Sequence, residues 1–293
     1  MSKPDDFLSP EDPTWCPACG DYSVLRSLKE AMGVLGLKPH EVMIVSGIGC
    51  GSKVPYYFHA NGYDSLHGRP VPVAQGIKLA NHALKVIVIS GDGDSLGIGG
   101  NHFLHVMRRN PDITQIIEDN QIYGLTKGQY SPTSAKGTVT TTSPDGSLET
   151  ALNPMVMGVA GGATFVSRTF AGNPKHMTDI FVKAVRHKGY SLVDVLQPCV
   201  TFNKVNTYQW YKQRVYEVDQ SPGYKPQDKR WAFDKALEWG DKIPIGLLYE
   251  EADAPTYEEQ VPALAGDPLV EQDKGFLNRR VLADEKKLKE AFC

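Results

Sequence analysis

Short apolar runs alternate with amphipathic stretches along this chain, and the alternation sets its elements. Val24, Leu25, Leu28, Met32 and Leu35 recur three or four residues apart, the spacing of one helix face. Asp21 stands where it can cap that helix, Gly33 weakens its last turn and Gly36 ends it. A strand follows at Val42 to Ser46, and a helix over Val73 to Ala80 leads into Val86-Ile87-Val88-Ile89. That unbroken β-branched run is the pattern of a strand covered on both faces of a parallel sheet. Ile113 to Glu118 repeats it, after a helix with Phe103, Leu104, Val106 and Met107 as its apolar positions.

Further along, Asn153 to Gly162 reads as helix, Ala163 to Val166 as extended chain and Pro174 to Lys188 as a helix with Met177, Ile180, Phe181, Ala184 and Val185 on one face. Leu192, Val193, Val195 and Leu196 form a last buried strand that ends at Gln197-Pro198-Cys199. Strands alternating with helices predict an α/β fold, a mostly parallel sheet with helices on both faces. Tyr130 to Leu148 is rich in Ser, Thr, Gly and Lys, a loop long enough to be functional and placed to close over a ligand. After residue 200 the chain turns aromatic and polar, then rich in Pro and Glu, with one helix over Lys229 to Trp239. The organisation expected is a site-bearing domain, 1–200, and a C-terminal extension, 201–293, docking on that domain or on a partner subunit.

Composition narrows the classes. Apolar residues at 41% and charged residues at 22% are ordinary for a globular protein, and a net charge of −3 recruits neither nucleic acid nor an anionic membrane. No apolar run approaches the roughly twenty residues that span a bilayer, and the N-terminus lacks the apolar core of a signal peptide; a cytoplasmic protein is expected. Five cysteines, Cys16, Cys19, Cys50, Cys199 and Cys293, are an odd number, which argues for metal or redox use over a disulfide framework in that compartment. Cys293 reads as a free surface thiol.

The chemistry gathers at strand ends. Gly91-Asp92-Gly93-Asp94, followed by Gly97, Gly99 and Gly100, is a glycine-rich turn between strand and helix, where backbone N–H groups can approach a phosphate. Asp92 and Asp94 would repel a bare pyrophosphate, so the turn implies a divalent cation, with Mg²⁺ the usual partner of carboxylates and phosphates. Parallel strands deliver Asn120, and Cys50 in the loop after Ser46, to the same edge. The spacing G-x-G-x-x-G is not met, since Gly97 comes one place late. A structural Gly/Asp turn in some other nucleotide-binding sheet is the plainer alternative, and four thiols alone suit structural zinc as well as an iron–sulfur cluster.

G-D-G-D, about thirty residues, then Asn120-Gln121-Ile122-Tyr123-Gly124 resembles the thiamine diphosphate signature of the 2-oxoacid:ferredoxin oxidoreductases. The contexts W-C-P-x-C-G, G-I-G-C-G and Q-P-C resemble those of its thiamine-bearing beta subunits; the likeness covers roughly 10 to 215. It implies Mg²⁺ on Asp92, Asn120 and the Ile122 carbonyl, and one [4Fe–4S] cluster on Cys16, Cys19, Cys50 and Cys199. It further implies a cofactor pocket from Ile48, Gly49, Cys50, Ser52, His67, Gly68, Gly91, Gly93, Asp94, Tyr123, Gly124, Leu125 and Thr126. Catalytic roles fall on His67 beside the cofactor and on Lys53, a cation for a distal substrate carboxylate.

The reaction implied is a 2-oxoacid, coenzyme A and oxidised ferredoxin giving acyl-CoA, CO₂ and reduced ferredoxin, or its reverse. Such a chain is half an enzyme, with the pyrimidine-side Glu and the coenzyme A site on an alpha subunit in an alpha-beta dimer of dimers. The loops around Lys53 and Thr126 look most like members that use 2-oxoglutarate. Pyruvate, a branched-chain 2-oxoacid, a non-redox thiamine decarboxylase with zinc, and a scaffold with a degenerate pocket are the competing readings.

Overall fold

The computed structural model describes residues 2–272; Cys293 lies outside them. Along the chain, α1 (Asp21–Leu35) precedes β1 (Val42–Ser46), the one-turn α2 (Val54–Tyr57) precedes β2 (Asn61–Asp64), α3 (Pro70–Ala80) precedes β3 (Lys85–Gly91), and α4 (Gly100–Arg109) precedes β4 (Ile113–Asp119). Then come α5 (Pro154–Gly161), β5 (Phe165–Phe170), α6 (Pro174–Arg186), β6 (Ser191–Leu196), α7 (Tyr208–Lys212), β7 (Val215–Glu217), α8 (Lys229–Ala236) and β8 (Ile243–Glu250).

All eight strands share one sheet in the order β2-β1-β3-β4-β6-β5-β8-β7. From β2 to β5 every pairing is parallel, and β8 runs antiparallel to β5. One face is covered by α1 and α6, where Leu28 and Met32 meet Ile180 and Phe181 in one apolar cluster. The other carries α3, α4, α5 and α8, with Ala74, Phe103, Met155 and Ala232 in a second. Two-sided cover is why β4, β5 and β6 are buried along their whole length.

Three strands and one helix start differ from what the sequence predicts. β2 is the outer strand beyond β1, and its residues Asn61-Gly62-Tyr63-Asp64 are all exposed, so no hydrophobic period marks it. β5 starts at Phe165 and continues to Phe170, because Ser167, Arg168 and Thr169 are buried polar residues within it. β8 is interrupted by Pro244 and Gly246, which hide a strand buried at seven of its eight positions. Helix α1 is not capped by Asp21: Gly20 holds the cap position without a side-chain bond, and Asp21 is turned inward and buried. No helix among the described residues is long and apolar enough to cross a membrane.

The middle of the sheet holds one buried ion pair. Arg168 of β5 and Asp194 of β6 are register partners, and the Arg168 Nε donates to Asp194 Oδ2 at 2.7 Å with both side chains sealed from water. The Trp239 ring lies 5.3 Å from the guanidinium carbon, a distance at which a cation is attracted to an aromatic face.

Candidate active site

Because β1, β3, β4 and β6 run parallel and adjacent, their C-terminal ends reach one edge, the crevice where open α/β sheets bind ligands. There Gly91 pairs with Glu118, and Asp119 with Leu196. The loops after these strands line a cleft bounded by Ile48, Gly49 and Cys50 from β1, Gly91 to Asp94 from β3, and Asn120 with Ile122 to Thr126 from β4, with His67 closing one side. Ser52, Lys53 and Gly68 stand outside that lining. Gly68 reaches the site through its N–H, Ser52 is buried, and the Lys53 ammonium sits 3.4 Å from the Thr14 hydroxyl.

The two carboxylates of the glycine-rich turn do different work. Asp94 Oδ1 accepts the N–H groups of Ile48 (3.0 Å) and Gly68 (2.7 Å) and lies 2.6 Å from His67 Nδ1. One oxygen thereby ties the β1 loop and the His67 turn to the β3 turn, and it directs His67 Nε2 away from itself. Asp92 points elsewhere. Its Oδ2 accepts from Ser131 at 2.5 Å and from the Thr133 hydroxyl, both on the polar loop after the signature. Burial pushes the Asp92 carboxyl up to about 6, with the Ser131 and Thr133 hydrogen bonds pulling it down. A nearby divalent cation would pull it down further.

Thr133 Oγ1 also lies 2.7 Å from Asp119 Oδ1, so one hydroxyl stands between two buried carboxylates. Its single proton cannot serve both. Burial raises the Asp119 carboxyl, and the charges of Asp194 and Asp92 raise it further, which makes Asp119 the natural holder of a second proton. Asn120 Oδ1 accepts the Ile122 N–H at 3.1 Å, and Gln121 between them takes a left-handed backbone with φ 58°, a conformation that costs energy in a residue with a side chain. That turn brings the Asn120 side chain and Ile122 to the same cleft as Asp92. Carboxylate, amide oxygen and main-chain carbonyl are hard oxygen donors of the kind Mg²⁺ takes, so these three could hold it.

The thiols gather beside this cleft. A Cβ placed on Gly124 would lie 3.6 Å from Cys199 Sγ and 3.7 Å from Cys50 Sγ, so two sulfurs from β6 and β1 flank the signature loop of β4. Cys16 and Cys19 come from the turn before α1, where Ala18 takes a left-handed φ of 64°, and all four thiols are free. Trp15 Nε1 donates to the Cys50 carbonyl at 2.7 Å, fastening that turn to the β1 loop. Burial, then the Asp21 charge, raises both the Cys19 and the Cys50 thiol, Cys50 to about 11. Among the described residues no three His, Cys, Asp or Glu side chains converge closely enough to grip one metal ion.

Three residues of this neighbourhood escaped the sequence reading besides the two loop hydroxyls. Glu118, buried with both oxygens unpartnered, lies so close to Gly51 that a Cβ there would fall 1.0 Å from its Oε2. Burial and the Asp21 charge raise its carboxyl well above the usual range. Asp21 is itself pushed up to about 7 by burial, against the Cys19, Lys53 and Gln197 interactions. Gln197, two residues before Cys199, bonds Asp21. A buried charge at a strand end is the signal that marks Glu118; nothing in local spacing marks the others.

Comparison with known proteins agrees with this geometry. Residues 40–195 match the family described as "Thiamine pyrophosphate enzyme, C-terminal TPP binding domain", and 199–266 match the family of the C-terminal part of the pyruvate ferredoxin oxidoreductase beta chain. The sheet edge and its cleft therefore belong to a thiamine diphosphate enzyme. A 2-oxoacid:ferredoxin oxidoreductase subunit beta from Sulfolobus sp is 44% identical over 267 residues, 87% of this chain and 88% of the relative. The 2-oxoglutarate oxidoreductase subunit KorB of Mycobacterium tuberculosis is 45% identical over 201 residues, 69% of this chain and 54% of its own length. A solved structure of 2-oxoglutarate:ferredoxin oxidoreductase from Magnetococcus marinus, with 2-oxoglutarate, coenzyme A and succinyl-CoA bound, superposes with a TM-score of 0.87 at 36% identity, covering 99% of this chain and 96% of that one. The chain belongs to the beta subunits of the 2-oxoacid:ferredoxin oxidoreductases.

Proposed function

We propose that this chain carries the diphosphate half of the thiamine site together with one [4Fe–4S] cluster, in an enzyme that converts 2-oxoglutarate and coenzyme A to succinyl-CoA and CO₂ with reduction of ferredoxin, or runs the reverse. The observation that carries the reading is that one sheet edge holds both the Asp92-Asn120-Ile122 cleft and the Cys50 and Cys199 sulfurs. In this reading Asp92, Asn120 and the Ile122 carbonyl hold Mg²⁺. Gly91, Gly93, Asp94, Gly124 and Thr126 frame the diphosphate, with Ile48, Gly49, Ser52, Gly68, Tyr123 and Leu125 around it and His67 beside it. Cys16, Cys19, Cys50 and Cys199 hold the cluster, one thiolate to each of four irons; the carbanion chemistry next door, which needs a one-electron acceptor, favours it over zinc, which has no redox chemistry.

Bound thiamine diphosphate supplies the carbanion chemistry that decarboxylates a 2-oxoacid, and an adjacent cluster supplies one-electron acceptance. This chain's own work is to clamp the diphosphate end, to keep water from Asp92 with Ser131 and Thr133, and to place four thiols next to that clamp. The relatives' designation as beta subunits supports an alpha partner subunit; our reading puts the pyrimidine-side Glu there, in an alpha-beta dimer of dimers working in the cytoplasm. Lys53, on the β1 loop three residues after Cys50, is the cation proposed for the distal carboxylate of 2-oxoglutarate. The test is iron, sulfide and zinc analysis with an anaerobic absorption spectrum of the complex purified with its partner. About four irons per chain, with a broad band bleached by 2-oxoglutarate and coenzyme A, is expected. Zinc without iron would sink the redox mechanism.

A further inference from the structure

Gln197 ends β6 two residues before Cys199, and it is almost wholly buried. Its Nε2 lies 3.3 Å from Cys19 Sγ and 2.6 Å from Asp21 Oδ1. A carboxamide nitrogen carries two hydrogens, and these two acceptors use both. The opposite orientation would press Oε1, which can only accept, against a carboxylate and a sulfur, so chemistry fixes the amide in this sense. Oε1 is left buried without a partner, the cost of aiming both donors at Cys19 and Asp21.

The side chain has little room to do otherwise. The Gln197 N–H donates to the Asp119 carbonyl at 3.1 Å, which anchors the residue to the end of β4. A Cβ on Gly20 would lie 2.7 Å from the Gln197 Cγ, so the residue following Cys19 has to lack a side chain for the amide to reach the sulfur. A buried amide held from two sides and directed at one thiol and its neighbouring carboxylate is a built arrangement.

We infer that Gln197 tunes the reduction potential of the cluster from the Cys19 side, as a positioning residue acting through that ligand and through Asp21. The inference rests on the four-cysteine cluster proposed above. Reduction adds one electron and breaks no bond. The added negative charge is shared with the sulfur ligands, and an N–H donor at Cys19 stabilises it, as hydrogen bonds to cluster sulfurs do in general. Asp21 works in the opposite sense, since a carboxylate beside the same sulfur opposes added negative charge. The second Gln197 hydrogen bond disperses that carboxylate's charge. Both contacts favour the reduced cluster, so removing the amide makes the cluster harder to reduce.

The test uses the complex with its partner subunit, purified without oxygen, and reads iron content, the electron paramagnetic resonance of the reduced cluster and its midpoint potential in a mediated titration. Gln197→Met, near in shape and without an N–H, is expected to keep about four irons per chain. Its reduction equilibrium should fall about tenfold, a negative shift of about 59 mV for one electron. Asp21→Asn should move the potential the other way. If Gln197→Met loses its iron, Gln197→Leu, which likewise lacks a donor and adds no titratable group, carries the same expectation. An unchanged or more positive potential in the iron-loaded Gln197 variant overturns the inference, and so does a negative shift in Asp21→Asn. A wild-type complex without iron would overturn the cluster reading itself.

Discussion

Thr133 donates its hydroxyl to Asp92 from a loop forty-one residues further along the chain. The glycine-rich turn of β3 therefore does not orient its own carboxylate alone; the polar segment after the signature supplies its side-chain donors. Thr133→Val keeps the shape and removes the donor, leaving Asp92 with Ser131 as its one side-chain donor. A hydrogen bond to a charged group is worth about 1.5–3 kcal/mol, and 1.4 kcal/mol is about tenfold in affinity. Calorimetry with Mg²⁺ and thiamine diphosphate should show binding weakened at least about tenfold, and Thr133→Ser should restore it. Wild-type affinity in Thr133→Val would mean that Asp92 is held in place without the loop.

Asp94 should matter through its neighbours. Its Oδ1 gathers two main-chain N–H groups and the His67 ring, so Asp94→Ala strands two donors at about 1–3 kcal/mol each. The Gly68 donor is buried and the Ile48 donor partly so. Asp94→Asn keeps one acceptor oxygen there but loses the charge. Thermal melting and cofactor affinity should both rank wild type above Asn and Asn above Ala. A melting temperature of Asp94→Ala equal to wild type would show that other contacts hold the Ile48 and His67 loops together.

Lys53 carries the substrate proposal. Lys53→Met should lower kcat/KM for 2-oxoglutarate by about tenfold, the equivalent of about 1.4 kcal/mol, while leaving pyruvate, which has no distal carboxylate, nearly untouched. Equal losses on both substrates would remove Lys53 from the specificity pocket and return it to a loop cation beside Thr14.

These residues divide by what a sequence can carry. β3 and β4 announce themselves because a strand covered on both faces is written as consecutive β-branched residues, and the signature loops follow directly from them. Cys50 and Cys199 could be placed together because parallel strands share an edge. Ser131, Thr133, Asp21 and Gln197 were not legible, since each acts across the fold on a partner with no fixed sequence separation. Asp21 read as a helix cap because a local rule fits it; its carboxylate instead takes the Gln197 amide as its donor, inside the fold. β8 was hidden by Pro244 and Gly246; Pro244 has its register partner, Tyr216, in the short outer strand β7, and the pairing of β8 with β5 reaches only as far as Gly246 opposite Arg168.

His187 gives a pH dependence whose sign is fixed. Its Nε2 lies 2.8 Å from the Thr164 hydroxyl, and burial lowers its basicity below the usual histidine value, with Glu250 opposing. Between the two values the unfolded chain binds more protons than the folded one, so folding stability rises with pH. This contribution is present in full above about 6.5, the ordinary histidine value, and is lost as pH falls toward the lower folded one. His187→Gln removes it. Melting temperatures of wild type and variant, followed from pH 7.5 to 5.5, should show the wild type losing more stability on acidification. Parallel curves would mean that His187 takes up its proton without cost to the fold.

Arg168 and Asp194 give the largest expected effect, because neither can reach water. Removing one partner leaves an uncompensated charge in the middle of the sheet, a loss of about 3–5 kcal/mol. Asp194→Ala is expected to be the worse single change, since Arg168 cannot shed its proton and already has its Nη1 buried without a partner. Arg168→Ala leaves a carboxyl that burial has already raised and that can take up a proton. Replacing both by apolar residues of similar size, Arg168→Met with Asp194→Leu, should recover much of the stability, since a buried pair is often no better than well-packed hydrophobes. Urea unfolding of the four proteins gives the coupling directly. A double variant as unstable as the sum of the single changes would show that Arg168 and Asp194 stabilise the sheet through other neighbours, Trp239 above all, and not through each other.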